Sequence, residues 1–275
     1  MGKEKILLTV FYNTNTAVVN PTVYLKFLLP FLLLGGKFSW VVGLAYIVAL
    51  YIYNIVYIVN DYIDYARDMA EKRQKKSFAH LYGENFTQPA LWTALVVGTG
   101  AVLLGWQTVL SLALVALILG VVHSKVRGLK PVTFLLLRLF RITMPALLLL
   151  PYEPVFRNLL MLSLAVFPLY NLKSYIEYAE LKRFNPKPGI FASVVLSGVA
   201  IYLFKQNVEL LLKYSALFLI LLGAVKAVSR VLTPVALSLL GETLKGMGYE
   251  DVEKKVEELL TLVIYLLLLG AVVWF

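Results

Sequence analysis

Tyr57-Ile-Val-Asn60-Asp61-Tyr-Ile-Asp64-Tyr-Ala-Arg67-Asp68 follows without a break on the apolar run Trp40 to Val59, and this junction decides how the chain reads. The run is long enough to cross a bilayer, which takes about 20 residues of helix. If the helix continues through the polar stretch, steps of three and four bring Asn60, Asp64 and Asp68 to one side. Asp61 lies about 60° from Asp64 on the helix surface and can share that face. Upstream, the same stripe takes in Tyr53 and Tyr57. Carboxylates at this spacing repel by a few tenths of a kcal/mol per pair. They also stand towards a helix C-terminal end, where the macrodipole disfavours anions. A bound cation offsets both terms. Oxygen donors with no His or Cys in the stretch favour a hard ion, Mg²⁺ first, held together with substrate phosphates. The plainer reading, a solvated turn, suits a lone aspartate. A clustered set at a membrane edge points to a site.

Composition sets the class. Of 275 residues, 60% are hydrophobic and only 15% charged, more apolar surface than a soluble fold hides. The chain reads as one all-α, polytopic membrane domain over residues 1–275, its helices bundled around a central cavity. The absence of cysteine excludes disulfides, thiolate metal sites and cysteine nucleophiles. A net charge of +10 would suggest nucleic acid in a soluble protein; here topology accounts for it, and no nucleic-acid partner is expected. The opening Met1-Gly-Lys-Glu-Lys leads into a segment broken by Asn13, Asn15, Asn20 and Pro21, a poor signal peptide, so the first span is expected to stay.

Nine apolar spans follow: Thr22 to Gly36, Phe38 to Val59, Ala90 to Gly105, Thr108 to His123, Thr133 to Leu150, Phe156 to Leu172, Gly189 to Phe204, Leu210 to Val231 and Leu259 to Phe275. Nineteen of the 26 Lys and Arg fall at the N-terminus, at the connections after spans two, four, six and eight or, as Lys226 and Arg230, in the last turns of span eight beside its connection. Lys37, Arg157, Lys205 and Lys213 fall on the other side. That asymmetry puts the N-terminus and the acidic stretch in the cytoplasm, and Phe275 outside. Thr233 to Glu258 reads as an amphipathic surface helix with a solvated charged face. Lys26, Arg138 and Arg141 lie within spans. Lys26 reads as a snorkelling side chain, while Arg138 and Arg141, one turn apart, suit an anion pocket.

A second polar stripe ends span six: Tyr170, Asn171, Lys173, Ser174 and Glu177, with Glu180, Lys182 and Arg183 beyond. Lys173 and Glu177 at i,i+4 form an ordinary helix pair or half of a joint site with the first stretch. Carboxylates for Mg²⁺, basic side chains for a polyanion and an apolar cavity beneath together describe a ligand with a diphosphate head and a hydrocarbon tail.

Asn60-Asp61-x-x-Asp64-x-x-x-Asp68 resembles the first aspartate-rich motif of the UbiA superfamily of intramembrane prenyltransferases, and the layout of nine spans with motifs after the second and sixth is similar. His123-Ser124-Lys125 to Lys130-Pro131 resembles that family's Tyr-Ser-x-x-x-Lys connection, with His123 in place of Tyr. Two departures stand out. Lys75-Lys76-Ser77-Phe78 lacks the proline that often follows motif one, and motif two reads Lys173-Ser174-x-x-Glu177-x-x-x-Leu181, with Glu180 displaced by one position.

The resemblance implies transfer of an isoprenyl chain from a prenyl diphosphate to a lipid-soluble acceptor, an aromatic ring or a glycerol-type lipid precursor, in the cell membrane. The chemistry of the residues agrees, since an allylic C–O bond ionises once Mg²⁺ neutralises the departing diphosphate. Asn60, Asp61, Asp64, Asp68, Tyr57, Tyr170 and Lys173 are the expected catalytic set, the tyrosines through cation–π stabilisation. Substrate contacts are expected from Lys72, Arg73, Tyr53, Ser124, Lys130, Arg141, Asn171 and Lys182. The expected metal ligands are Asn60, Asp64, Asp68, Glu177 and Glu180. CDP-alcohol phosphotransfer fits less well, because Tyr65 stands where that pattern needs Gly. A secondary transporter and a degenerate prenyl-diphosphate-binding protein are the non-enzyme alternatives.

Overall fold

The computed structural model describes residues 19–70, 87–152, 155–246 and 252–274. Among them, nine α-helices follow one another with no strand between. They are α1 (Asn20–Leu33), α2 (Trp40–Ala70), α3 (Thr87–Leu104), α4 (Trp106–Lys125), α5 (Lys130–Leu149), α6 (Phe156–Lys182), α7 (Lys187–Leu203), α8 (Val208–Gly246) and α9 (Val252–Trp274). Each overlies one of the nine apolar runs. Five of these helices (α2, α4, α5, α8 and α9) are long and apolar enough to cross a membrane alone. The sixth is α6, if its two halves, bent by 46° at Pro168, count as one span. Helix α1, with 14 residues, extends about 21 Å and is shorter than the ~30 Å hydrocarbon layer. Large apolar side chains such as Trp40, Leu91, Val102, Phe191 and Leu267 point outwards, as a membrane protein's lipid-facing surface requires.

Helix α2 settles the opening question of the sequence. It runs unbroken for 31 residues, about 46 Å, so its last turns carry Asn60 to Asp68 past the apolar layer as helix. Helix α4 lies close against it because Gly120 has no side chain; a Cβ there would meet the Val56 Cα at 3.3 Å. The corner between α3 and α4 is a single residue, Gly105, with φ +86°, a conformation that side-chain-bearing residues rarely adopt. α6 stops at Arg183 in the left-handed conformation (φ 54°), with the Phe184 N–H bonded back to the Ala179 carbonyl at 3.1 Å. This tight end returns the chain directly into α7.

Helix α1 occupies the middle. Eleven of its 14 residues are buried, and it packs against α2, α5, α6, α8 and α9. The interior that the sequence suggests as a cavity is therefore divided, with separate pockets on two sides of α1. One expectation is corrected. Thr233 to Glu258 is not a separate surface helix: α8 continues through Thr233 to Gly246, and α9 already begins at Val252. The Thr233 hydroxyl bonds back to the Ser229 carbonyl at 2.8 Å and keeps the turn before Pro234 helical. Arg230 reaches Glu257 across the pair at 3.4 Å, tying α8 to α9.

Candidate functional site

Tyr53, Tyr57 and Asn60 stand on one face of α2, as the helical spacing requires, and line one wall of a pocket of about 250 Å³. His123 from α4 and Arg138 and Arg141 from α5 line the rest, with Val56, Phe134 and Leu137 as its apolar surface. Arg141 is 3% exposed. Its Nη1 donates to Asn20 Oδ1 at 3.2 Å, and its guanidinium lies 5.9 Å from the centre of the Tyr53 ring. Its Nε and Nη2 have no partner among the described residues. A buried cation with idle donors is costly unless something anionic completes it. On α1, Asn20 Nδ2 and the Tyr24 hydroxyl, one turn apart, are also buried without partners among the described residues. Arg138 is half-buried, its guanidinium 4.9 Å from the Phe134 ring centre.

Asn60 brings the start of motif one to this pocket. Asp61 and Asp64 are both buried, at 9% and 6% exposure. The Asn60 carboxamide is oriented from both ends: Ser124 Oγ donates to its oxygen at 3.1 Å, and its Nδ2 donates to Asp61 Oδ1 at 3.4 Å. Ser124 is itself buried and shares its hydroxyl hydrogen with the Gly120 carbonyl at 2.8 Å. His123 Nδ1 lies 2.8 Å from Thr133 Oγ1, whose own hydrogen is directed to the Leu129 carbonyl at 3.0 Å. That arrangement puts the ring hydrogen of a neutral His123 on Nδ1. Lys130 opens α5 and is half-buried. Asp68 lies within α2, but its side chain is outside the described residues, as are Lys72, Arg73 and the Lys182 side chain.

Motif two is placed differently. Lys173, Glu177 and Glu180 are exposed on the face of α6 opposite Asn171, Tyr175 and Ala179. Lys173 and Glu177 form a solvent-side ion pair at 3.7 Å. Tyr170 does not join Tyr53 and Tyr57; its ring packs on Phe27 at 5.4 Å and lines a second pocket across α1. Asn171 is buried, and both of its amide atoms lack partners among the described residues. No group of three His, Cys, Asp or Glu side chains converges among the described residues. Asp61, Asp64 and Asn60 supply an all-oxygen donor set that fits one Mg²⁺ shared with a ligand's phosphates.

The structure thus brings Tyr53, Tyr57, Asn60, Ser124 and Arg141 together, with Tyr170 near Arg141 but outside the lining of its pocket, and leaves Lys173, Glu177 and Glu180 on the exposed face of α6. The sequence reading assigned no role to Asn20, which holds Arg141 from a helix 121 residues away in sequence. Arg138 and His123 also enter the pocket, and the signal for them was present: two arginines one turn apart in an apolar helix, and a histidine beside Ser124. Compared with protein-family models, with curated proteins and with solved structures, the chain matches none.

Proposed function

We propose that this protein is an intramembrane prenyltransferase, moving an isoprenyl chain from a prenyl diphosphate to a lipid-soluble acceptor, an aromatic ring or a glycerol-type lipid precursor. The observation that carries the reading is Arg141, a buried guanidinium whose Nε and Nη2 have no partner among the described residues, in a pocket lined by Tyr53, Tyr57 and Asn60, with the buried Asp61 and Asp64 next to Asn60 on α2. Arg141 and Arg138 would hold the diphosphate, the role for which the arginine fork is suited. The two tyrosine rings would face the allylic carbon as its C–O bond weakens and positive charge develops there. Val56, Phe134 and Leu137 would keep water from that carbon. Asn60, Asp61 and Asp64 would hold Mg²⁺, which when bound neutralises the leaving diphosphate as a Lewis acid. In this reading the chain crosses the cell membrane about nine times, with the N-terminus and the pocket mouth on the cytoplasmic side, and its resemblance to the UbiA superfamily reflects kinship.

The test is direct. Purified protein is incubated with Mg²⁺, labelled prenyl diphosphates of several chain lengths and a membrane lipid extract, and the prenylated product is identified by mass spectrometry. Failure to bind any prenyl diphosphate removes the proposal. The exposed Lys173–Glu177 pair favours a second reading, a diphosphate-binding membrane protein without turnover, either a transporter or a degenerate relative. The same incubation separates the two, since that protein would bind the diphosphate and release no product.

A further inference from the structure

A second pocket, of about 310 Å³, opens on the other side of α1, between it and α6, α8 and α9. It shares no lining residue with the arginine pocket. Three lysines line it: Lys26 from α1, Lys226 from α8 and Lys254 from α9. Lys26 is the one charged residue of α1, half-buried, with its Nζ 5.4 Å from the centre of the Tyr170 ring. An ionisable side chain within a membrane helix is expensive and marks a site unless it is neutralised. The two carboxylates of the lining are already engaged outside it. Glu257 pairs with Arg230 at 3.4 Å, and Glu258 with Lys255 at 2.9 Å, neither partner being part of the lining. Lys26 and Lys226 have no ion-pair partner among the described residues. The pocket is therefore positive at its polar side, while Val23, Leu222, Val225 and Tyr265 give it an apolar floor.

A basic edge beside an apolar floor, between α1, α6, α8 and α9, suits a ligand built the same way. We propose that this pocket binds an amphiphile with a single anionic headgroup, a phosphate monoester in the first instance, with Lys26 and Lys226 on the headgroup and the hydrocarbon body against Val23, Leu222 and Val225. The site is independent of the prenyl-transfer reading and does not require it. Sequence alone reads Lys26 as a snorkelling side chain; what changes that reading is the cavity beside it and the distant Lys226 that α8 brings to the same wall.

The test uses the full chain, purified in a neutral maltoside detergent, with binding of dodecyl phosphate followed by thermal shift and calorimetry. Dodecanol and inorganic phosphate are the two control arms. Dodecyl phosphate is expected to bind, and each control to bind about tenfold or more weakly, because each lacks half of the recognition. Lys26→Gln with Lys226→Gln should weaken dodecyl phosphate by about tenfold or more, Lys226→Gln alone by less, and Lys26→Arg should retain it. Arg138→Gln should leave the binding in place, which separates this pocket from the one across α1. Equal binding of dodecanol and dodecyl phosphate would overturn the anionic headgroup, and equal binding of inorganic phosphate would overturn the amphiphile. Loss with Arg138→Gln but not with Lys226→Gln would assign the ligand to the arginine pocket and end the proposal. Lys226 is exposed, so its single variant keeps the test decisive even if the double variant does not fold.

Discussion

Arg141→Met separates a binding role for Arg141 from a packing role. The side chains are similar in volume, and the change removes the charge along with the single hydrogen bond to Asn20. Leaving Asn20 Oδ1 without its donor costs about 1–3 kcal/mol. Against this, replacing a buried charged group by an apolar one of similar volume is neutral or stabilising by about 1–4 kcal/mol, and here two of the guanidinium nitrogens had no partner to lose. The two terms offset each other to within about 3 kcal/mol, so the ligand-free melting temperature should move by about ten degrees at most in either direction. Ligand binding should respond far more strongly. A desolvated arginine on a diphosphate is worth about 2–5 kcal/mol, or roughly 30- to 5000-fold in affinity. Thermal denaturation in detergent against graded geranylgeranyl diphosphate with Mg²⁺ reads both quantities at once. Wild type should gain about 2.7 kcal/mol at a hundredfold excess over its Kd, and the variant about 0.9 kcal/mol or less at that concentration. If Arg141→Met instead loses many degrees without ligand yet keeps its diphosphate shift, the guanidinium is structural and the site is misassigned. Adding Asn20→Leu to the variant should recover stability, because both polar partners are then gone.

Other consequences follow from the same geometry. Asp64→Asn should reduce prenyl transfer by about 100-fold or more in single-turnover assays while the protein stays folded, since it weakens Mg²⁺ binding and relieves repulsion with Asp61; normal transfer would remove Asp64 from the site. Gly120→Leu should push α4 off Val56 and cost about 1–3 kcal/mol, read as a lower melting temperature, with diphosphate affinity falling because Ser124 no longer meets Asn60. An unchanged melting temperature would refute that packing argument. A reporter fused after Phe275 should report the outside and one inserted at Gly83 the cytoplasm; both on one side would end the nine-span topology.

Much of the frame was legible in the sequence because a bilayer punishes ambiguity. Every apolar run reappears as a helix, and Gly105 marks the corner between α3 and α4. The helical continuation from Trp40 to Ala70 followed from the absence of any Gly or Pro between Leu44 and Ala70. The stripe Tyr53, Tyr57, Asn60 was legible for the same reason: on a long straight helix, spacing is position. What spacing cannot carry is contact between distant elements. Nothing in the local sequence of Asn20 marks it as the residue that holds Arg141, and the two pockets on either side of α1 depend on which distant helices pack against it. The apolar run ends at Val231 but the helix does not. Arg230, Glu242 and Lys245 lie in one helix that continues through Pro234 to Gly246.

Motif two shows where the helical period alone is insufficient, and it yields the sharpest remaining prediction. Tyr170, Lys173, Ser174 and Glu177 form one stripe; Asn171, Tyr175 and Ala179 form another, and at a membrane edge either stripe can face the protein. Aromatic packing decides between them. Tyr178 stacks on Phe134 with ring centres 3.9 Å apart and planes 5° from parallel, while Tyr175 meets Phe184 at 5.9 Å. Together these contacts hold the last turns of α6 with Lys173 and Glu177 turned out, at 81% and 60% side-chain exposure. A pair so exposed contributes only about 0–1 kcal/mol. Glu177→Gln should therefore leave stability, diphosphate affinity and the Mg²⁺ concentration for half-maximal transfer all unchanged. A raised Mg²⁺ requirement would mean that α6 turns by about 100°, one residue's step, in the working protein. That turn would break the Tyr178–Phe134 stack, so Phe134→Ala should then lower the Mg²⁺ requirement by freeing the turn. If neither variant moves the Mg²⁺ titration, the metal is held by motif one without help from α6.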